Sequence, residues 1–343
     1  MLKQEIMDSL KDEDISDDAR EWIDAMLQYT VPGGKMNRGR TVLHALTRLR
    51  GDAGVSEAEA HQAQVLGWCV EFLQGFLLII DDVQDGSTTR RGQPCWYKFE
   101  KNGGPVGVMA LNDGILVERF IHTILKTHFK QTPHYVELLE LFHDVTLKTE
   151  LGQLLDMSCD WGQPDLTKEG TTPDFTRFTL AHYERIVKNK TAFYSFYIPV
   201  KLAMILAGVE EKQGDGVKAI LLDMGSFFQK QDDYLDCFGA PEVIGKIGTD
   251  IEDLKCGYLA VQALSKATPE QLEVMKANYG RKDPANVKAV KELYSALKLD
   301  EEYKAWEASE ATRLRGEIAA KFGEQPLGGV LSDLLDKIAG REK

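Results

Sequence analysis

Apolar residues recur along this chain every three to four positions, and few stretches alternate with a period of two. Such a period, sustained through most of the sequence, predicts an all-α fold: a single large bundle of about ten or more helices around a central cavity. Residues 6–29 read as a first amphipathic, acidic helix that Thr30-Val31-Pro32-Gly33-Gly34 ends, and 38–49 as a second. Ser56-Glu57-Ala58-Glu59 is a capping box, and the periodic segment it opens runs to Asp85. At 1.5 Å per residue that helix is roughly 45 Å long, the central beam of the fold. A loop over 86–105 follows, then helices at 106–127, 134–159, 173–191, 191–207 (with a kink at Pro199) and 214–236. Segments 250–264, 269–279, 284–297, 300–322 and 326–339 complete the set. No Pro-, Gly- or Ser-rich linker divides the chain, so 1–343 is expected to be one domain. No apolar run is expected to reach transmembrane length.

The beam ends abruptly. Leu78-Ile79-Ile80 gives way to Asp81-Asp82-Val83-Gln84-Asp85, and Thr89-Arg90-Arg91-Gly92 follows. Asp81 and Asp85 are four residues apart and share a helix face, where like charges repel. A divalent cation relieves that repulsion, and oxygen-only donors suit Mg2+ better than zinc. The two arginines offer forked donors for phosphate oxygens. Alone, a D-D-x-x-D run is more often a solvated helix end than a metal site. A second copy, Gln231-Asp232-Asp233-Tyr234-Leu235-Asp236, again closes an apolar helical stretch and favours a pair of acidic clusters around a metal-bridged diphosphate.

Charge and cysteine usage narrow the partners. A net charge of -13 argues against nucleic acid or an anionic membrane surface, while Mg2+ can reverse the local field for a phosphorylated substrate. The five cysteines are scattered without a C-x-x-C pair, which reads as reduced thiols in a cytoplasmic protein. The opening Met1-Leu2-Lys3-Gln4-Glu5 runs into an acidic segment rather than an apolar core, so no signal peptide is expected, and no membrane insertion is expected.

Gly33-Gly34-Lys35-Met36-Asn37-Arg38-Gly39-Arg40 places cations on a glycine-flanked turn that opens a helix, a natural anion cradle or else a basic helix cap. Gln74 lies nearly two turns before Asp81 on the same face. His122 and His182, without carboxylate or cysteine partners at useful spacing, read as packing or surface residues. Trp96 and Tyr97 are expected to pin the arginine loop.

G-G-K-x-x-R-G, D-D-x-x-D-x-x-x-T-R-R-G-Q-x-C-W-Y, G-Q-x-x-D, K-T-A-F-Y, F-Q-x-Q-D-D-Y-L-D-C-F-G and G-K-I-G-T-D-I-x-D-x-K-C occur in that order from Gly33 to Lys255. Together they resemble the farnesyl diphosphate synthases, short-chain trans-prenyltransferases of the polyprenyl synthetase family. The resemblance implies Mg2+-dependent condensation of isopentenyl diphosphate with dimethylallyl and geranyl diphosphate, using three Mg2+ with Mn2+ as a substitute, in a homodimer. It implies that Asp81, Asp85 and Asp232 bind metal, with Asp82 and Asp236 supporting. Arg90, Lys190 and Lys246 would hold the allylic diphosphate; Lys35, Arg38, Gln74 and Arg91 that of isopentenyl diphosphate. Thr191 and Gln229 would lie along the reacting carbons with Tyr194 nearby, Gln153 and Asp156 in the hydrogen-bond and metal-water shell, and Asp250 and Lys255 by the metal end and its lid.

By the same resemblance Phe76 and Leu77 form the floor of the tail pocket, one aromatic suggesting a fifteen-carbon product and Leu77 leaving room for geranylgeranyl diphosphate; geranyl diphosphate is a further alternative. Ile80, Gln84 and Lys230 depart from residues usual in the family. A terpene cyclase would carry a different second motif, and a non-catalytic partner subunit would be expected to have lost an aspartate, Lys190 or an arginine.

Overall fold

A computed structural model describes residues 2–168, 170–209, 216–240 and 248–339. The helical period is realised through most of them. The elements are α1 (Leu2–Ser9), α2 (Asp17–Thr30), α3 (Asn37–Arg50), α4 (Glu57–Gln84), α5 (Met109–Phe129), α6 (Tyr135–Met157), α7 (Leu180–Val187), a π-helical segment (Lys188–Tyr197), α8 (Ile198–Ala207), α9 (Val217–Phe238), α10 (Tyr258–Lys266), α11 (Pro269–Asn278), α12 (Pro284–Ala296), α13 (Leu299–Phe322) and α14 (Pro326–Ile338). Residues 86–105 form two short ribbons, β1 (Thr89–Arg90) with β2 (Gln93–Pro94), and β3 (Glu100–Lys101) with β4 (Gly104–Pro105). Their turns, Arg91-Gly92 and Asn102-Gly103, have positive φ at both positions, the backbone that a two-residue hairpin favours.

Several boundaries differ from the expectation. The first helix is two: Arg20 of α2 donates to the Leu10 carbonyl and, at 2.8 Å, to the Glu13 carbonyl, so the chain turns before α2 begins at Asp17. Segment 173–191 is α-helical only from Leu180: the Asp174 carboxylate takes the Thr176 N–H at 2.9 Å, and Thr179 caps α7. In 250–264 the regular helix starts at Tyr258, after a turn with Leu254 at φ 53°. Pro199 sits in the first turn of α8, where its missing N–H is tolerated, directly after the π segment. α4 is long and apolar enough to cross a membrane, contrary to the expectation; 67% of its most apolar window is buried, as in a core helix. Glu71 and Gln74 interrupt its apolar run and disguise that length.

The chain divides into two compact units, Met1–Thr146 with Tyr194–Asp215, and Leu147–Phe193 with Gly216–Lys343. In the first, α4 packs against α3, α5 and α8. Ser56 and Glu59 cap it reciprocally, as the sequence suggests. Gly39 and Gly67 let α3 and α4 approach so closely that a Cβ at 67 would stand 2.5 Å from the Gly39 carbonyl oxygen. In the second, α9 packs against α13 and α14, and Tyr279, Tyr294 and Tyr303 are fully buried in an aromatic core.

Candidate active site

The first unit carries the first acidic cluster on the last turns of α4. Asp82 is buried, whereas Asp81 and Asp85 are half-buried. The β1–β2 hairpin turns the chain back so that Arg90 Nε donates to Asp82 Oδ1 at 3.0 Å, with a longer contact of 3.5 Å from Nη2 to Asp81. Burial disfavours the Arg90 cation, but Asp82 and Asp81 outweigh it and raise its pKa. Arg91 lies across the glycine turn: its Nη1 donates to the Pro32 carbonyl at 3.0 Å. Cβ atoms at Gly33 and Gly34 would meet its guanidinium at 3.2 and 3.1 Å. These glycines therefore leave room for the arginine as well as turning the chain. Burial lowers the Arg91 pKa and Glu71 opposes that, while Arg90 and Arg38 lower it further. Crowded guanidiniums favour an anion at this place.

Lys35 is exposed on the same turn. Arg38 Nε donates to Ser195 Oγ at 2.9 Å and Nη2 to Tyr194 Oη at 3.1 Å, with the guanidinium 4.8 Å from the Tyr194 ring centre. Tyr194, expected near the reacting carbons, is in this structure the partner of Arg38. Glu71, buried on α4, accepts the Gly39 N–H at 2.7 Å and so caps the first turn of α3. Gln74 is half-buried one turn before Leu78. Phe76 is buried and Leu77 half-buried, and a Cβ at Gly114 on α5 would meet Ile80 Cδ1 at 2.9 Å and Phe76 Cδ2 at 3.5 Å. Gly114 thus accommodates the unusual bulk of Ile80. Tyr97 Oη donates to the Ser87 carbonyl at 2.8 Å and Trp96 Nε1 to Asp113 Oδ2 at 2.8 Å, so both pin the arginine loop. His122 does have a carboxylate partner, Glu118 one turn earlier at 3.1 Å; helical i, i+4 spacing was the overlooked signal.

The second unit carries the second cluster at the end of α9. Asp233 and Asp236 are buried and Asp232 half-buried. Asp233 accepts from Gln229 Nε2 at 2.9 Å, Tyr183 Oη at 2.7 Å and the Tyr258 N–H at 2.8 Å. Burial nevertheless pushes its carboxyl up to about 6. Gln229 Oε1 accepts from Thr191 Oγ1 at 2.7 Å. With its hydrogen engaged there, the Thr191 oxygen can act elsewhere only as an acceptor. Asp236 Oδ1 accepts the Asp250 N–H at 3.2 Å, and a Cβ at Gly248 would stand 1.9 Å from the Asp236 carbonyl oxygen.

Lys190 Nζ donates to Asp156 Oδ2 at 2.6 Å, and Lys255 Nζ reaches the same oxygen at 3.4 Å. Burial raises the Asp156 carboxyl, but the two ammonium groups outweigh it and hold it at about 2. Gln153 is half-buried one turn earlier. The π segment that presents Lys190 and Thr191 sits in glycine notches: a Cβ at Gly152 on α6 would lie 2.1 Å from the Lys190 nitrogen, and one at Gly225 on α9 2.3 Å from Ala192 Cβ. π turns concentrate at functional sites. Lys230 turns to an aromatic face, its Nζ 4.9 Å from the Trp306 ring centre and 5.5 Å from that of Tyr258. Lys246 lies outside the described residues.

Among the described residues no three His, Cys, Asp or Glu side chains converge to hold an ion unaided. The oxygen donors do fit Mg2+, which is ordinarily held by one or two carboxylates together with substrate phosphates and water.

The model of the polyprenyl synthetase family matches residues 20–297. The chain belongs to that family. Farnesyl pyrophosphate synthase of Panax ginseng is 45% identical over 343 residues, covering 100% of this chain and 96% of that one. Farnesyl pyrophosphate synthase 1, mitochondrial, of Arabidopsis thaliana is 43% identical over 96% of this chain and 83% of its own. The structure of T. brucei farnesyl diphosphate synthase complexed with risedronate superposes with a TM-score of 0.90 at 36% identity, covering 100% of this chain and 97% of that chain. The all-α fold expected from the periodicity is therefore that of the family. Reading the family motifs residue by residue passes over Asp113, Glu71 and Tyr183; an acidic residue or tyrosine inside an apolar helical face was the available signal.

Proposed function

We infer that this protein is a prenyltransferase that condenses isopentenyl diphosphate head-to-tail with dimethylallyl and then geranyl diphosphate to give farnesyl diphosphate. The observation that carries this reading is the pair of D-D-x-x-D helix ends, each in a unit that also presents cations: Arg90 and Arg91 in the first, Lys190 and Lys255 in the second. Asp81, Asp85 and Asp232 would hold Mg2+, three ions in all, with Mn2+ able to substitute. Bound there, the cations supply Lewis-acid neutralisation of diphosphate oxygens. Asp82, Asp236, Gln153, Asp156 and Asp250 support that end.

The chain's own groups then have separate tasks. Arg90 and Lys190, with Lys246, bind the allylic diphosphate, and their charge stabilises the negative charge that develops as the allylic C–O bond ionises. Lys35, Arg38, Gln74 and Arg91 orient isopentenyl diphosphate by its own diphosphate, and Lys255 steadies the metal end. The double bond of isopentenyl diphosphate attacks the allylic cation, forming the new C–C bond. A proton leaves to the departing diphosphate, which restores neutrality. The Thr191 hydroxyl oxygen, the Lys190 carbonyl and the Gln229 amide, itself oriented by Asp233, are dipoles suited to a transient cation; Tyr194 acts through Arg38. Water must be excluded while the cation exists. Phe76 and Leu77 limit tail length.

The whole chain, 1–343, works as one prenyl synthase domain. It does so as a homodimer, a reading supported by exposed apolar faces: Val108, Leu111 and Ile115 by α5, and Leu147, Leu151 and Leu154 along α6. Sedimentation as a monomer at micromolar concentration would refute the dimer. The five free, buried cysteines support a reducing compartment, the cytoplasm; recovery in mitochondria on fractionation would move it.

The deciding experiment incubates the protein with labelled isopentenyl diphosphate, dimethylallyl diphosphate and Mg2+ and resolves product length. A fifteen-carbon product abolished by EDTA is expected. A twenty- or ten-carbon product would keep the chemistry and change the product, and no product from any starter would favour a non-catalytic partner subunit.

A further inference from the structure

Asp113, on α5, is fully buried. Its two oxygens take two indole N–H groups from different elements: Trp22 Nε1 of α2 on Oδ1 at 3.0 Å, and Trp96 Nε1 on Oδ2 at 2.8 Å. Burying a carboxylate against neutral donors is costly. Only an acceptor-only side chain serves both indoles. An asparagine of the same size turns its NH2 toward one of them, donor against donor.

Trp96 follows the arginine hairpin by one residue, Cys95, whose N–H closes onto the Thr88 carbonyl at 3.0 Å. Thr88 and Cys95 bracket the Thr89–Pro94 pair, the base of the hairpin that carries Arg90 and Arg91. Trp96 is also stacked on Phe99, with ring centres 5.4 Å apart, and Tyr29 anchors the Pro94 carbonyl at 2.7 Å. Fixing the Trp96 indole therefore fixes the end of the hairpin from which both guanidiniums reach out.

We propose that Asp113 is a positioning residue for diphosphate binding: through the Trp22–Asp113–Trp96 clasp it sets where the Arg90 and Arg91 guanidiniums stand, without touching substrate itself. The proposal rests on the reading of those arginines as diphosphate ligands. It differs from a plain core role in what it moves. A stability contact changes how much protein is folded, whereas a displaced hairpin changes KM for both diphosphates in the protein that is folded.

The test measures steady-state kinetics of full-length Asp113→Asn with Mg2+, isopentenyl diphosphate and geranyl diphosphate, on protein shown folded by thermal melting. KM for isopentenyl diphosphate is expected to rise roughly 10- to 100-fold, the scale set by ångström-level misplacement, and kcat to fall as well, because the displaced Arg90 also acts on the charge that develops as the allylic C–O bond ionises. Adding Trp22→Phe to Asp113→Asn removes the donor facing the amide and is expected to restore part of the loss. A folded Asp113→Asn with both KM values within about twofold of the parent overturns the proposal. Should that variant not fold, Trp96→Phe, which keeps an aromatic ring, though a smaller one, and removes the N–H, takes its place under the same criteria. Arg91→Ala is measured alongside. If it leaves KM unchanged, the arginine reading fails and the proposal falls with it. If it raises KM while the clasp variants do not, only the clasp is refuted.

Discussion

Asp81–Asp85 and Asp232–Asp236 share the pattern D-D-x-x-D at the end of a long helix, and in each the second aspartate is buried. Asp82 is held by a guanidinium, whereas Asp233 is held by a tyrosine hydroxyl, a backbone N–H and an amide, all neutral. With neutral donors, burial dominates and the Asp233 carboxyl rises to about 6. The last aspartate differs too: Asp85 is half-buried, while Asp236 is buried and takes the Asp250 N–H. One motif therefore presents different carboxylates in the two places, Asp81 and Asp85 in the first and chiefly Asp232 in the second. Identical spacing does not assign identical roles.

The largest expected effect tests that division directly. Asp81→Ala and Asp232→Ala should each lower turnover by at least roughly a thousandfold with little change in melting temperature if, as proposed, they remove carboxylates that hold the Mg2+ neutralising the diphosphate. Near-parent turnover in either would break the comparison at its functional end.

Stability variants sharpen the structural end. Asp233→Ala leaves three donors unpaired, two of them buried, and should cost roughly 3 kcal/mol in denaturant unfolding. Asp82→Ala should cost less, roughly 1–2 kcal/mol, because the Arg90 side chain is 36% exposed and can turn to water. An Asp82 variant as damaging as the Asp233 variant would show that the guanidinium depends on its carboxylate as fully as the neutral donors do on theirs.

A smaller effect concerns acid. Asp156 has a folded pKa of about 2, below its value in the unfolded chain. Its contribution is therefore fully present above the unfolded value near 4 and is lost as pH falls from there through 2. The contribution is roughly 2 kcal/mol. Asp156→Asn should lower stability at pH 7 by about that much and flatten the dependence between pH 4 and 2. A parallel pH profile would mean that Lys190 and Lys255 do not depend on this carboxylate.

Smallest in energy is the product shift. Phe76→Ala should lengthen the product while leaving turnover of the first condensation within about threefold of the parent, read by chromatography of the prenyl chains. An unchanged distribution would place the floor elsewhere.

Much of this was legible without a structure where the physics is local. The capping box at Ser56, the face shared by Asp81 and Asp85, and the cationic turn at Lys35 and Arg38 all follow from residues within one or two helical turns of each other. Helix ends at 10–16, 161–179 and 250–257 were not legible, because there side chains such as Asp174 bind the backbone and override the apolar period. The π segment was hidden as well: it depends on Gly152 and Gly225, glycines on other helices that admit its backbone.

The helical architecture, the two acidic clusters and the cations beside them in the chain follow from residue order alone, since spacing along a helix decides which residues share a face. Packing of the helices sets which carboxylate of each cluster is buried, brings Arg38 to Tyr194 and Asp113 to two indoles, and leaves Lys190 and Lys255 sharing one oxygen of Asp156. Those pairings join residues far apart in the chain, and burial, which sets whether a carboxylate is held by a cation or by neutral donors, exists only once the helices have packed.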